Sequence, residues 1–67
     1  MAVVKIIELV GSSKTSSDNA VKQAIEEARK TVRNISGVDV VSIGLRGDDL
    51  DEWRAQVRIG FLVESVS

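Results

Sequence analysis

This sequence contains few of the side-chain types that act in catalysis or metal binding. Its 67 residues include no cysteine and no histidine, which excludes thiolate and imidazole nucleophiles and structural zinc sites of the Cys/His type. Carboxylates, lysines, arginines and hydroxyls remain. No nucleophile–base pair or cofactor motif can be assembled from these residue types, so we expect a protein that is not an enzyme.

The densest group of charged residues is the run RGDDLDE, residues 46–52. Its glycine and aspartates are typical of a turn between two strands. A solvated hairpin tip is the simpler interpretation. The alternative is an oxygen-ligand site for a hard cation such as calcium, although the spacing does not match an EF-hand loop. The candidate ligands are Asp48, Asp49, Asp51 and Glu52.

A second polar run, GSSKTSS, covers residues 11–17. A glycine and hydroxyls before a helix can hold a phosphate, but a P-loop needs a second glycine directly before the lysine, and this run lacks it. We therefore interpret the run as a loop between a strand and a helix, with Ser16 as the helix N-cap.

One stretch has sustained helical periodicity, from Ser16 to about Ile35. Its apolar residues recur at steps of three and four, which predicts a helix with one stripe facing the core. The other side is charged, and Glu26 is spaced to pair with Lys30. The predicted stripe consists of Val21, Ile25, Ala28, Val32 and Ile35, widened by Ala20 and Ala24.

Three apolar segments predict strands at residues 3–10, 38–46 and 53–63. The first is apolar on both faces, so one helix leaves a face that another chain must cover. In the second, strict alternation places Asp39 and Val41 on one face and Ser42 on the other. The third alternates most clearly, with Trp53 to Val63 in steps of two on the core face and Arg54, Gln56 and Arg58 pointing away.

These elements predict an α+β fold in the order β-α-β-β, with the last two strands forming an antiparallel hairpin and the first joining the same sheet. We expect a single domain, residues 1–67. A chain this short buries too little apolar surface to outweigh clearly the conformational entropy lost on folding. It has no cysteine for a disulfide and no obvious ligand set for a structural metal, so we expect it to be stabilised by association with copies of itself.

The charge and the N-terminus restrict the partners. The net charge is −1, with 9 basic and 10 acidic residues interspersed along the chain, so we expect no nucleic-acid binding. The apolar N-terminal run is interrupted by Lys5 and Glu8 and is too short for a membrane span or a signal peptide. We expect a soluble cytoplasmic protein without a membrane partner.

Residues 3–35, followed by VDVVS and WRAQVRIGFLVE, closely resemble the dodecins, small bacterial and archaeal proteins. The most specific part is the run from the first strand through Gly11 to the helix. The resemblance implies a three-stranded antiparallel sheet wrapped around the helix, and a hollow homododecamer. It also implies, as in many members, the binding of flavins for storage rather than for redox catalysis.

Two positions depart from the flavin-binding members of this family. Those members have a tryptophan that stacks on the flavin ring where this sequence has Gly37, and a flavin-bonded glutamine where it has Arg54. Loss of the stacking ring predicts weak flavin affinity. The resemblance implies a cofactor-binding site at Gly37, Arg46, Arg54 and Gln56, in which the two arginines and Gln56 meet polar groups or a phosphate.

The cofactor that the resemblance implies is a flavin, FMN or riboflavin. Some family members that lack the tryptophan are associated with calcium instead. A dodecin without flavin, with a structural or calcium-related role, is therefore the alternative function.

Overall fold

The computed structural model describes residues 2–64 of the chain. It contains strand β1 (Ala2–Ser13), helix α1 (Ser17–Arg29), strand β2 (Ile35–Arg46) and strand β3 (Glu52–Glu64). The α+β class and the β-α-β-β order predicted from the sequence are confirmed. Met1 and residues 65–67, which the predicted domain includes, lie outside the described residues.

The three strands form one antiparallel sheet in the order β1-β3-β2, as predicted. Strand β1 pairs with β3 over its whole length, from Ala2 opposite Glu64 to Ser13 opposite Trp53. Residues 11–13 are therefore the last residues of β1, and the sequence-based prediction that they lie in a loop is wrong. The long central strand is the one whose sequence alternates most clearly.

The core lies between α1 and the middle of the sheet. The helix contributes small side chains, which let it lie close to the strands, and β3 contributes the larger ones. The burial of Ala55, Val57 and Ile59 confirms the predicted core face of β3. Trp53 is partly buried and packs against the same cluster. The buried residues are Ala20, Ala24, Ala28, Ala55, Val57 and Ile59.

Helix α1 begins where the sequence predicts it and ends earlier. The hydroxyl of Ser16 accepts a hydrogen bond from the Asn19 amide at 3.0 Å, which confirms the N-cap. The helix ends at Arg29, so the prediction that it runs to about Ile35 is wrong. Val32 lies in the connection, and Ile35 opens β2 opposite Phe61.

Two physical effects account for the early end of the helix. Thr31 and Val32 are β-branched and lose side-chain freedom in a helix. Asn34 then takes a left-handed conformation with φ 62, which turns the chain toward the sheet. The buried face is accordingly an alanine stripe, and Lys30 pairs with Glu27 at 3.0 Å rather than with Glu26.

Strand β2 contains two irregularities that the sequence did not reveal. The register against β3 shifts between Ile35 and Gly37 and again between Val40 and Ser42. A bulge adds one residue to one strand and reverses the alternation beyond it. Asp39 and Ser42 therefore share a face, opposite Arg58 and Gln56, and the predicted strict alternation through 38–46 is wrong.

Much apolar surface stays exposed on the single chain. The side of the sheet away from α1, called the outer face below, includes Val4, Ile6 and Val10, which are 53%, 63% and 61% exposed. The sequence-based expectation that one face of β1 is left uncovered within the chain is confirmed. No helix among residues 2–64 is long and apolar enough to cross a membrane.

Candidate functional site

The outer face carries the polar side chains of the central strand. Because side chains alternate along β3, the burial of Ala55, Val57 and Ile59 against the helix directs Arg54, Gln56 and Arg58 to the other side. The same register brings residues of both edge strands beside them. Among the described residues, this face has a hollow toward each end of the sheet.

The first hollow, called the arginine hollow, has a volume of about 340 Å³. Val10 and Ile43 are its apolar lining, and the rest of its lining is polar or glycine. It brings together three of the four predicted site residues. The polar lining consists of Ser42, Arg46, Arg54 and Gln56.

The arginine hollow is positively charged. Arg46 donates from Nη1 to its neighbouring carbonyl, Leu45 O, at 2.9 Å, and this bond neutralises no charge. Arg54 Nη2 lies 3.6 Å from Glu52 Oε2, a loose pair in which both side chains are partly exposed. No carboxylate is among the residues that line the hollow. The hollow therefore favours a ligand with carbonyl oxygens, a carboxylate or a phosphate.

The second hollow, called the glycine hollow, has a volume of about 180 Å³. Its lining includes Val4 and Ile6 from β1, Gly37 and Asp39 from β2, and Gly60 from β3. A Cβ atom added at Gly37 would meet nothing within 4 Å. The fourth predicted site residue therefore lies where a larger side chain has free space.

Gly37 and the arginine hollow are far apart on one chain. Gly37 lies opposite Gly60, and Gly44 of the arginine hollow lies opposite Arg54. Gly60 and Arg54 are six residue steps apart along an extended strand, a distance of about 20 Å. The structure thus brings Arg46, Arg54 and Gln56 together and does not bring Gly37 to them.

A hydrogen-bonded group separates the two hollows. Glu8 Oε1 accepts from Arg58 Nε at 3.1 Å, and Glu8 Oε2 accepts from Gln56 Nε2 at 2.9 Å. The hydrogen bond from Arg58 is the largest cause that lowers the pKa of Glu8, followed by the one from Gln56 and by the positive charge of Arg58. Glu8 is therefore ionised at neutral pH.

Sequence reasoning missed Glu8 and Ser42 as members of this surface. The available signal for Glu8 was a single carboxylate on an otherwise apolar face of β1, between Ile6 and Val10. Its partners depend on the register between β1 and β3, which the sequence pattern does not give. Ser42 was placed by strict alternation, without the bulge that sets it opposite Gln56.

The acidic run forms the tip between β2 and β3. Gly47 has φ 96, a conformation suited to glycine, and the Leu50 amide donates to Gly47 O at 3.0 Å. Asp48, Asp49 and Asp51 are all exposed. Within residues 2–64, no three acidic side chains gather in a group that could hold a metal ion.

The fold and the hollows define a small α+β protein whose candidate ligand-binding surface is the open face of its sheet. The family model described as Dodecin matches residues 3–64. A dodecin of Thermus thermophilus is 34% identical over 64 residues, which are 92% of this chain and 93% of that protein. The chain belongs to the dodecin family, and the resemblance inferred from its sequence is confirmed.

Solved structures agree with this assignment. A Thermus thermophilus protein has a TM-score of 0.89 at 32% identity, covering 98% of this chain and 100% of that one. The dodecin of Streptomyces coelicolor has a TM-score of 0.89 at 25% identity, covering 97% and 96%. A calcium dodecin of Mycobacterium tuberculosis, described as having a novel calcium-binding site, has a TM-score of 0.81 at 25% identity, covering 97% and 96%.

Proposed function

We propose that this protein is a non-catalytic, homododecameric binding and storage protein of the cytoplasm, whose ligand is a flavin or a related small molecule. Membership of the dodecin family supports the class of function. The observation that carries the proposal is the arginine hollow, in which Arg46, Arg54 and Gln56 present polar groups beside the apolar Val10. Guanidinium and amide groups suit the carbonyl and phosphate oxygens of such ligands.

Assembly is part of the proposed site. Gly37 and Arg54 are separated by about 20 Å along one sheet, so a ligand of flavin size that contacts both positions needs two chains. The exposed apolar residues of the outer face support contacts of this kind. In the proposal, a neighbouring chain brings its glycine hollow close to the arginine hollow of the first.

A flavin is held weakly in the proposed site. Gly37 offers no ring on which an isoalloxazine could stack, and Arg54 offers no acceptor oxygen for the ring N–H. Stacking of two flat rings contributes about 0.5–1.5 kcal/mol beyond area burial. We therefore expect riboflavin and FMN to bind weakly or not at all to the natural protein.

The test restores both contacts. Gly37→Trp has free space for its Cβ, and Arg54→Gln places an acceptor oxygen at the position where flavin-binding members of the family have their glutamine. In a titration followed by quenching of flavin fluorescence, we expect the double variant to bind at least about tenfold more tightly than the natural protein, equivalent to ~1.4 kcal/mol. The matched control is Gly37→Leu with Arg54→Gln, which adds apolar volume without a flat ring and should gain much less.

A submicromolar dissociation constant for the natural protein, measured by fluorescence quenching and unchanged by the substitutions, would contradict this account of Gly37. Absence of binding by every variant would contradict the proposed flavin site and favour the alternative. That alternative, a structural or calcium-related role, is supported by the similarity to the Mycobacterium tuberculosis calcium dodecin. A calcium site built from the acidic tip would need carboxylates from more than one chain, because no group of three forms within the described part of one chain.

A further inference from the structure

A row of polar side chains crosses all three strands on the outer face. Glu8 of β1 accepts hydrogen bonds from Arg58 and Gln56 of β3, at 3.1 and 2.9 Å. Gln56 Oε1 accepts in turn from Ser42 Oγ of β2, at a longer 3.4 Å. Every side chain of this row is at least partly exposed, so the row lies at the surface of the sheet where a ligand can reach it.

The chemistry of Glu8 fixes the orientation of the Gln56 amide. An ionised carboxylate can only accept hydrogen bonds, so the group of Gln56 that faces it must be the nitrogen. A flipped amide would place its oxygen against a carboxylate oxygen, and two acceptors repel. The amide oxygen of Gln56 therefore faces the other way, toward Ser42 and the arginine hollow.

A fixed oxygen at this point gives the hollow a pattern of donors and acceptors. Arg46 and Arg54 can only donate, whereas Gln56 Oε1 keeps a lone pair that can accept. The complementary edge of a ligand is an N–H group flanked by carbonyl oxygens. Such an edge occurs in cyclic imides and in heteroaromatic rings that contain one, including the flavins.

We propose that Glu8 is a positioning and specificity-determining residue, which holds Gln56 so that the arginine hollow selects ligands with an imide-like N–H edge. The proposal rests on the proposed function of the hollow as a small-molecule site. It assigns the acceptor role to Gln56, two residues beyond the position where flavin-binding members of the family have their glutamine. Arg54 occupies that position and cannot accept.

The first arm of the test needs no ligand. Gln23 and Gln56 are the only glutamines in the sequence, so labelling with side-chain ¹⁵N-glutamine gives two amide signals, of which Gln23 is the internal reference. We expect the Gln56 signals to shift as acid protonates Glu8. The shift should disappear in Glu8→Leu and persist in Arg58→Met, which removes the ion pair, adds no further glutamine and keeps the carboxylate facing Gln56.

A further carboxylate lies near this row. Asp39 of β2 is opposite Arg58 on the same face, so the titration is repeated in Asp39→Asn. Retention of the Gln56 shift in that variant assigns it to Glu8. Two results would overturn the positioning role of Glu8. One is a chemical shift of the Gln56 amide that changes with pH no more than that of Gln23. The other is a pH-dependent shift of the Gln56 amide that persists in Glu8→Leu.

The second arm compares riboflavin with N3-methylriboflavin, which lacks the imide N–H. Both are titrated against Gly37→Trp, whose ring brings the affinity into a measurable range. We expect riboflavin to bind roughly fivefold more tightly, the effect of one neutral hydrogen bond. Adding Glu8→Leu should bring the two affinities close to equal, and adding Arg58→Met should leave the preference in place.

The two arms separate this inference from the function on which it rests. A merely structural role of Glu8 would weaken both ligands alike and leave the preference unchanged, which would overturn the inference while the binding function stands. Equal binding of the two flavins by the Gly37→Trp protein would overturn it as well. If neither flavin binds, both the flavin-binding function and the proposed ligand class are wrong. The chemical shifts of the glutamine amides still decide whether Glu8 positions Gln56.

Discussion

Gly11 marks the point where the helix lies closest to the sheet. A Cβ atom at this position would overlap the carbonyl oxygen of Ala20 and come within 3.0 Å of the Ala24 amide nitrogen. Both obstructing atoms belong to the backbone, so the clash cannot be relieved by a change of side-chain rotamer. The short distance between β1 and α1 therefore depends on having no side chain at residue 11.

Gly11→Ala should separate the helix from the sheet. We expect a loss of about 1–3 kcal/mol in the free energy of unfolding, the range for overpacked sites, measured by urea unfolding followed by far-UV circular dichroism. Gly37→Ala is the control, because its Cβ meets nothing within 4 Å and should have little effect. Equal stability of Gly11→Ala and the natural protein would contradict the packing described for α1.

At the residue scale, the sequence predicted the face of the sheet on which a side chain lies better than the residues that the side chain contacts. Alternation along β3 correctly placed Arg54 and Gln56 on the face away from the helix. The sequence placed Glu8 on the same face of β1 as Ile6 and Val10. Its hydrogen bonds to Gln56 and Arg58 depend on the register between β1 and β3, which the sequence of one strand does not determine. Contacts between strands are properties of the pairing, which only the structure supplies.

The two ends of the helix differ in how well the sequence predicts them. The start has a local chemical signal, the hydroxyl of Ser16, which the structure shows accepting from the Asn19 amide. The end has no such signal, because the apolar spacing continues through Val32 and Ile35. Pairing of Ile35 with Phe61 in the sheet overrides the helical pattern. The β2 bulge was missed for the same reason, since it is defined only against β3.

Ser16→Ala tests the start of the helix. It removes the hydroxyl that satisfies a free backbone N–H, and we expect it to lower the free energy of unfolding by about 1 kcal/mol. Ser17→Ala is the matched control, since Ser17 lies inside the first turn and alanine is favourable there. Chemical denaturation of both variants gives the comparison. Equal effects would show that the Ser16 hydroxyl does not cap the helix.

The whole molecule is too open to be a compact monomer. Its accessible surface is 5021 Å², whereas a compact protein of 7.2 kDa exposes about 4,100 Å². Its radius of gyration is 13.8 Å, against about 11 Å for a compact domain of this length. Exposed apolar residues lie on the outer face and also along β2, where Val40 and Ile43 are 49% and 51% exposed.

The sequence predicted an uncovered face of the sheet from two features. Both faces of β1 are apolar, and the chain has only one helix to cover them. The structure adds that α1 packs mainly over β1 and β3, so that β2 is left with little cover on the helix side. The family resemblance supplied the expected number of chains, which neither the sequence pattern nor a single chain determines.

The most direct test of the account is the mass of the particle in solution, because the proposed site joins residues of different chains. Sedimentation equilibrium at micromolar and lower concentrations measures it without a ligand. We predict a particle of about twelve chains at every concentration where the protein is folded, because a single chain buries too little to be stable. A folded monomer at micromolar concentration would contradict both the assembly and the composite site.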